Sequence, residues 1–402
     1  MKLWKKITIG VVSGVVVIAA GLGITVASLW HNEISSLSSI HKLLDANTEN
    51  RSGPVYEMTV KGGYYFDDFI KQGGASSDQE LIDFIVDNLT KGIIPINLEA
   101  PTIGCSSFTA INEDGDHLFA RNYDFSTTTS MIVHTDPGDG RHKSISSVDL
   151  QFLGITGEID SFLSKAIALA APYVPLDGIN DAGVSCGIYM SYQGPEGEVA
   201  PTDQNTDKPD LTSTTMLRMI LDYADSVEDA VKLVKQYDFH DSASTSFHYM
   251  IADKTGKSAI LEWVANTDET DTDGTVRELK VYYNDDDAIL GTDEANNKFQ
   301  YITNFIVTPD YYSDEASMHG LDRYEEIKNT INPDGDNTAG QFSSPESLEL
   351  LKTVGGRSWY KDDPTSDTIT VWSALYNLDD LSVTWVSNEE FDNEDAVFTY
   401  TL

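Results

Sequence analysis

The stretch Cys105-Ser-Ser-Phe-Thr-Ala-Ile-Asn-Glu-Asp-Gly-Asp-His-Leu-Phe-Ala-Arg121-Asn-Tyr-Asp124-Phe125 decides how this chain is read. Ser107, Thr109 and Ile111 alternate with Phe108 and Ala110, which is the period of a half-buried strand. Asn112-Glu-Asp-Gly115 supplies turn chemistry, and His117-Leu-Phe-Ala returns as a second strand. The two ends of such a hairpin meet. The Cys105 thiol is therefore expected near Arg121 and Asp124, although they lie 16 and 19 positions away. A thiol beside a fixed cation and a carboxylate suits a nucleophilic site, because a neighbouring positive charge favours the thiolate. On composition alone, a small buried hydrophobe and a surface ion pair are the more usual reading of these positions.

Outward from the hairpin, the chain is 402 residues long with a formal net charge of −39. A surface this acidic repels nucleic acid and anionic headgroups, so nucleic-acid partners are not expected. Cys105 and Cys186 are the only cysteines, which leaves no disulfide framework. No ligand-spaced Cys/His cluster appears, so neither a metal nor a cofactor is expected. Lys2, Lys5 and Lys6 precede the uncharged run Ile7 to Trp30, long enough to cross a bilayer, with Trp4 and Trp30 placed as interfacial anchors. Residues 1–30 are read as an uncleaved signal anchor, a transmembrane helix with the remainder outside the cytoplasm. Thr25-Val-Ala27 is a weak cleavage signal that would instead give a secreted chain.

Residues 31–104 read as a spacer, or short helix and loop, followed by a folded segment. Val55 to Val60 alternates as a strand, and Ser77-Asp-Gln-Glu80 predicts a capping box. Leu81, Ile82, Phe84, Ile85 and Leu89 give a helical face that stops at Gly92. Beyond the hairpin, Ala166 to Ala171 predicts a helix ending before Pro172. Asp177 to Gly183 reads as a tight turn and Val184 to Tyr192 as a strand. Gly183-Val-Ser185-Cys-Gly187 matches a nucleophile elbow by letter, but that motif needs a strand before it and a helix after it, so Ser185 and Cys186 are read as packing residues. Thr215 to Tyr237 is helical, with Ser226 capping its second part. Phe247 to Trp263 is a hairpin around Asp-Lys-Thr-Gly, and His248 within it is read as a core histidine. Thr368 to Leu378 and Leu381 to Val386 read as the final hairpin.

Cys-x-Ser, a Gly turn and Arg-Asn-x-Asp-Phe at this spacing resemble the nucleophile hairpin of the linear-amide C–N hydrolases, the choloylglycine hydrolase and penicillin V acylase family of N-terminal-nucleophile hydrolases. The resemblance runs from Cys105 to near the C-terminus. It implies an α+β fold, a four-layer αββα sandwich from about Pro54 to Leu402, with the hydrolase domain over residues 105–402. The folded segment upstream of Cys105 is more like the acid ceramidase branch than like bile salt hydrolases. In the family the nucleophile opens the mature chain, which implies cleavage after Gly104. The new α-amine, with an ordinary pKa near 8, is then the base for its own thiol. By the same resemblance Asp124 would hold the α-amine and Arg121 would lie against the thiolate. Asn304, in Tyr301-Ile-Thr-Asn304, would donate to the oxyanion, and Arg323, opening a helix in Gly320-Leu-Asp-Arg323, would brace the cluster. Tyr189 and Met190 fall at the substrate-binding strand end; Met190 stands where the family carries Asn or Tyr, and Tyr189 is the alternative side chain. The implied activity is hydrolysis of an N-acyl amide through a thioester. Acyl transfer on the same fold, and a binding module whose Cys105 is never liberated, remain open. Bile salts, penicillin V, N-acyl ethanolamines, ceramide and acyl-homoserine lactones all fall within the wider resemblance, and neither the substrate nor the oligomeric state is set by the sequence.

Overall fold

The computed structural model describes residues 31–90, 104–194, 197–265, 274–275, 277–284, 299–333, 341–363 and 365–402. It opens with α1 (His31–Ser39), β1 (His41–Leu44), β2 (Val55–Lys61), α2 (Phe66–Lys71) and α3 (Asp78–Asn88). The quoted hairpin follows as β3 (Gly104–Ile111) and β4 (His117–Phe125), then β5 (Ser130–Asp136), β6 (Ser144–Asp149), α4 (Phe162–Ala168), β7 (Asp177–Asn180) and β8 (Val184–Met190). Next come β9 (Asp210–Thr212), α5 (Ser213–Tyr223), α6 (Val227–Val234), β10 (Asp238–His240), β11 (Phe247–Asp253), β12 (Ser258–Ala265) and β13 (Arg277–Tyr283). The chain closes with β14 (Tyr301–Ile302), α7 (Leu321–Ile331), α8 (Ser344–Thr353), α9 (Gly356–Trp359), β15 (Ile369–Asn377), β16 (Ser382–Ser387) and β17 (Val397–Thr401).

Two large sheets carry the fold. One has nine strands in the order β1-β2-β5-β6-β7-β8-β11-β12-β13, and the other six in the order β14-β3-β4-β15-β16-β17. They pack face to face: the Trp385 indole N–H reaches Ser147 Oγ at 3.1 Å and the Tyr189 hydroxyl reaches Ser107 Oγ at 2.6 Å. Helices α5 and α6 cover the outer face of the larger sheet, and α7, α8 and α9 that of the smaller. The result is the helix–sheet–sheet–helix sandwich expected from the sequence. The helical faces follow their periodicity. Val227, Ala230, Val231 and Val234 are buried on α6, and Ser226 caps it through the Asp229 N–H.

The segment before Cys105 is woven into this sandwich. β2 runs parallel to β5 from Val55↔Ser130 to Lys61↔Asp136, and Met58 is fully buried there. β1 extends the sheet by one antiparallel edge strand. Among the described residues no helix is long and apolar enough to cross a membrane. The apolar run from Ile7 to Trp30 lies outside the described residues, as does the Gly92 stop.

Four local expectations change. Ser77 caps α3 through the Glu80 N–H, but Glu80 turns back to the Ser76 N–H and hydroxyl, so no reciprocal box closes. The helix does end before Pro172, but already at Ala168, and Pro172 sits inside a separate 3₁₀ turn, Ala171–Tyr173, because a prolyl nitrogen near a helix start forfeits no bond. Asp177 to Asn180 is strand β7, held between β6 and β8, so the turn shrinks to the residues before Gly183. The β15–β16 hairpin is not the last element, since β17 pairs with β16 from Ser382↔Thr401 to Val386↔Val397.

Candidate active site

The β3–β4 register sets Gly104 opposite Asp124, Cys105 opposite Tyr123 and Ser107 opposite Arg121. Side chains alternate along a strand, so these residues divide between two faces. Cys105, Ser107, Arg121 and Tyr123 look toward the nine-stranded sheet. Gly104, Asn122 and Asp124 look toward α7, α8 and α9; the Asn122 amide reaches the Leu351 carbonyl at 2.7 Å. The hairpin thus brings the predicted thiol, guanidinium and carboxylate to one strand end, with Asp124 on the opposite face from the other two.

On the helix side, Asp124 is fully buried and faces Arg323, itself 2% exposed. The Thr370 hydroxyl donates to the other Asp124 oxygen at 2.6 Å and is held by the Gly356 N–H at 2.8 Å. Arg323 does not pair with Asp322 or Glu326; its Nη2 donates to Asn304 Oδ1 at 2.8 Å. That same oxygen accepts the Cys105 N–H at 3.0 Å, and Asn304 Nδ2 donates to the Met190 carbonyl at 2.8 Å. One carboxamide therefore ties the start of β3 to the end of β8 and to α7. Met190 takes part through its backbone, so the Met in place of Asn or Tyr leaves this bond intact. Gly104 fits closely: a Cβ there would lie 3.2 Å from Asp124 Cβ and 3.3 Å from its Oδ2.

On the sheet side, Arg121 is fully buried, with its Nε 3.2 Å from Asp177 Oδ2 and its guanidinium 4.3 Å above the Tyr189 ring. Neither Nη atom of Arg121 has a hydrogen-bond partner. Asp177 is held in turn by the Trp372 indole N–H at 2.9 Å and the Tyr376 hydroxyl. Tyr189, read as a substrate-binding residue, is fully buried and acts as a strut between the sheets. Cys105 is 1% exposed. Burial pushes its thiol pKa up, and Asp124 adds to this, while Arg121 and Arg323 pull it back only in part. In the uncut chain the thiol is held protonated.

Asp177 and Thr370 complete the cluster and were not singled out in the sequence. Asp177 stood inside a supposed turn and Thr370 inside a strand pattern, and nothing local distinguishes either. No three His, Cys, Asp or Glu side chains gather as a metal site among the described residues. A cavity of about 470 Å³ lies apart from this cluster, lined by α1, α2 and Arg141.

Residues 105–270 match the family model described as linear amide C–N hydrolases, choloylglycine hydrolase family. Solved structures that align with this chain include a variant of conjugated bile acid hydrolase from Clostridium perfringens, at 15% identity and a TM-score of 0.47, covering 74% of this chain and 92% of that one. Penicillin V acylase from Agrobacterium tumefaciens aligns at 14% identity and a TM-score of 0.41, covering 70% and 83% respectively. The Caenorhabditis elegans ortholog of N-acylethanolamine-hydrolyzing acid amidase aligns at 15% identity and a TM-score of 0.40, covering 74% and 100%. No curated protein matches by sequence.

Proposed function

We propose that this chain is an amidase acting on linear carbon–nitrogen bonds, of the linear amide C–N hydrolases, choloylglycine hydrolase family whose model residues 105–270 match, and that Cys105 is its nucleophile. The observation that carries this reading is the convergence on one strand end: Cys105 N–H on Asn304 Oδ1, Arg323 on both Asn304 and Asp124, and Arg121 on the thiol face. In this reading the chain is cut between Gly104 and Cys105. The thiol adds to the Gly104 carbonyl, the Cys105 nitrogen leaves as an amine, and water hydrolyses the resulting thioester. Gly104 suits that step because it leaves its carbonyl uncrowded.

The freed α-amine lies beside Asp124 and Asn304 Oδ1, which orient it. An α-amine has an ordinary pKa near 8, so a useful fraction is neutral at pH 7 and takes the thiol proton. The sulfur then attacks the amide carbon, the C–N bond breaks, and the departing amine receives the proton. Water repeats the sequence on the thioester. Arg121, whose two Nη amino groups are unpartnered, favours the thiolate. Asn304 Nδ2 gives one proton to Met190 and the other to the oxyanion, worth about 3–4 kcal/mol in the transition state. The substrate is a small N-acyl amide. We also propose that residues 1–30 anchor the domain to a membrane with the catalytic part outside the cytoplasm, which rests on the lysine-flanked apolar run alone.

The test is amine release from a panel of N-acyl amides by the full chain and its Cys105→Ala variant. Release that vanishes in the variant is expected. A Cys105 that neither reacts with an electrophile nor matters for release would leave the binding-module reading in its place. Membrane anchoring is checked by whether the chain sediments with membranes through alkaline carbonate washing.

A further inference from the structure

His248 and Glu262 sit behind the site on adjacent strands β11 and β12, both with fully buried side chains. His248 Nε2 lies 2.9 Å from the Thr303 carbonyl. A carbonyl only accepts, so Nε2 carries a hydrogen. His248 Nδ1 lies 3.1 Å from Glu262 Oε1. That carboxyl group already receives the Val307 N–H at 2.7 Å, the Thr308 N–H at 3.0 Å and the Thr308 hydroxyl at 2.8 Å. The Tyr282 hydroxyl donates to Thr308 Oγ1 at 2.9 Å, which directs the Thr308 proton onto Glu262. One proton must therefore lie between Nδ1 and Oε1, since otherwise two lone pairs would face each other in a dry interior.

We propose that His248 and Glu262 form the positioning pair of this site, a proton-sharing couple on the opposite sheet that pins the Thr303–Thr308 segment at both ends and so sets Asn304 against Cys105. His248 holds the carbonyl immediately before Asn304, and Glu262 holds the N–H groups of Val307 and Thr308. The residue between the anchors then has one place to put its carboxamide. The pair is coupled to the thiol face as well. His248 is the β11 partner of Tyr189, their rings meet edge-on at 6.0 Å, and the Tyr189 hydroxyl bonds Ser107 on β3. The ionisable groups around the pair are Tyr189, Tyr282, Tyr312 and Tyr324, each pushed above the ordinary tyrosine range by burial and so uncharged at neutral pH. The pair touches no substrate; it acts through Asn304, and the inference rests on the amidase reading above.

The experiment compares the full chain with His248→Gln, Glu262→Gln and the double variant, using an N-acyl aminocoumarin as substrate and iodoacetamide on Cys105. Each single variant is expected to lower kcat about 10²-fold, the cost of displacing one oxyanion donor. KM and the alkylation rate are expected to stay within about twofold of the parent. The double variant, whose two amides can bond each other and Thr303, is expected to recover at least about tenfold of that loss. A structural role alone would lower kcat, alkylation and melting temperature together, and that outcome overturns the proposal. The side-chain amide resonances of selectively 15N-labelled Asn304 provide a readout free of activity. They are expected to shift in both single variants and to return in the double. If the parent hydrolyses no N-acyl amide, the amidase reading fails, and these resonances alone decide the pair: unmoved signals in His248→Gln overturn it.

Discussion

Replacing Arg323 by Met removes the cation that Asp124 faces and leaves that carboxylate, fully buried, with the Thr370 hydroxyl as its remaining side-chain partner. Asn304 Oδ1 loses its 2.8 Å bond from Nη2 in the same step. Breaking a buried pair from one side costs about 3–5 kcal/mol, because the stranded charge keeps its desolvation penalty without its partner. At about 2.1 cal/mol/K per residue over roughly 350 folded residues, this lowers the melting temperature by about 4–7 °C. Asp124→Asn is expected to cost a similar amount by stranding Arg323. Combined, the two substitutions remove both charges, so the double variant is expected to melt no lower than the worse single one. Near-ultraviolet circular dichroism in a Cys105→Ala background reads all four corners of the cycle without interference from chain cleavage. Additive losses, with coupling below about 0.5 kcal/mol, would refute the claim that Arg323 and Asp124 depend on each other.

Three further outcomes are expected. Burial pushes the Asp149 carboxyl up to about 6, against the bonds it accepts from Thr128, the Gln151 N–H and Tyr123. The folded state then holds that proton more tightly than the unfolded one, so stability falls as pH rises from about 4 to about 6, by up to about 3 kcal/mol. Asp149→Asn should therefore melt higher than the parent at pH 7.5 and equally at pH 4; an equal difference at both would contradict the assignment. Gly104→Val places a branched side chain where a Cβ alone meets Asp124 at 3.2 Å, and it is expected to slow cleavage before Cys105 at least about tenfold by mass spectrometry. Finally, a cut after Gly104 should leave both pieces together under native mass spectrometry and separate them only on denaturation, because β2 is paired along its length with β5; spontaneous loss of the upstream piece would argue against this.

The hairpin was legible because its signals are local: alternation over Ser107 to Ile111, turn residues at 112–115, and apolar return. Val55 to Val60 was legible as a strand for the same reason, but its parallel partner, 75 positions along, was not. Asn304 and Arg323 stood out only through resemblance, since a turn Asn and a helix-opening Arg are common anywhere. Asp177 and Thr370 were invisible because what defines them is tertiary: Asp177 answers Arg121 across 56 positions and Thr370 answers Asp124 across 246. His248 was read as a core histidine, and it is one; its link to Asn304 exists only once two sheets face each other. The start of α3 shows the reverse limit, where the Ser77–Glu80 spacing fits a box but Ser76 offers Glu80 two donors at 2.9 Å.

The most direct measurement is the intact mass and N-terminal sequence of the purified chain beside its Cys105→Ala variant, each held at neutral and at mildly acidic pH. A fragment beginning at Cys105 is expected in the parent and an uncut chain in the variant. A parent chain that stays whole at both pH values, or a variant cut at the same bond, would contradict this.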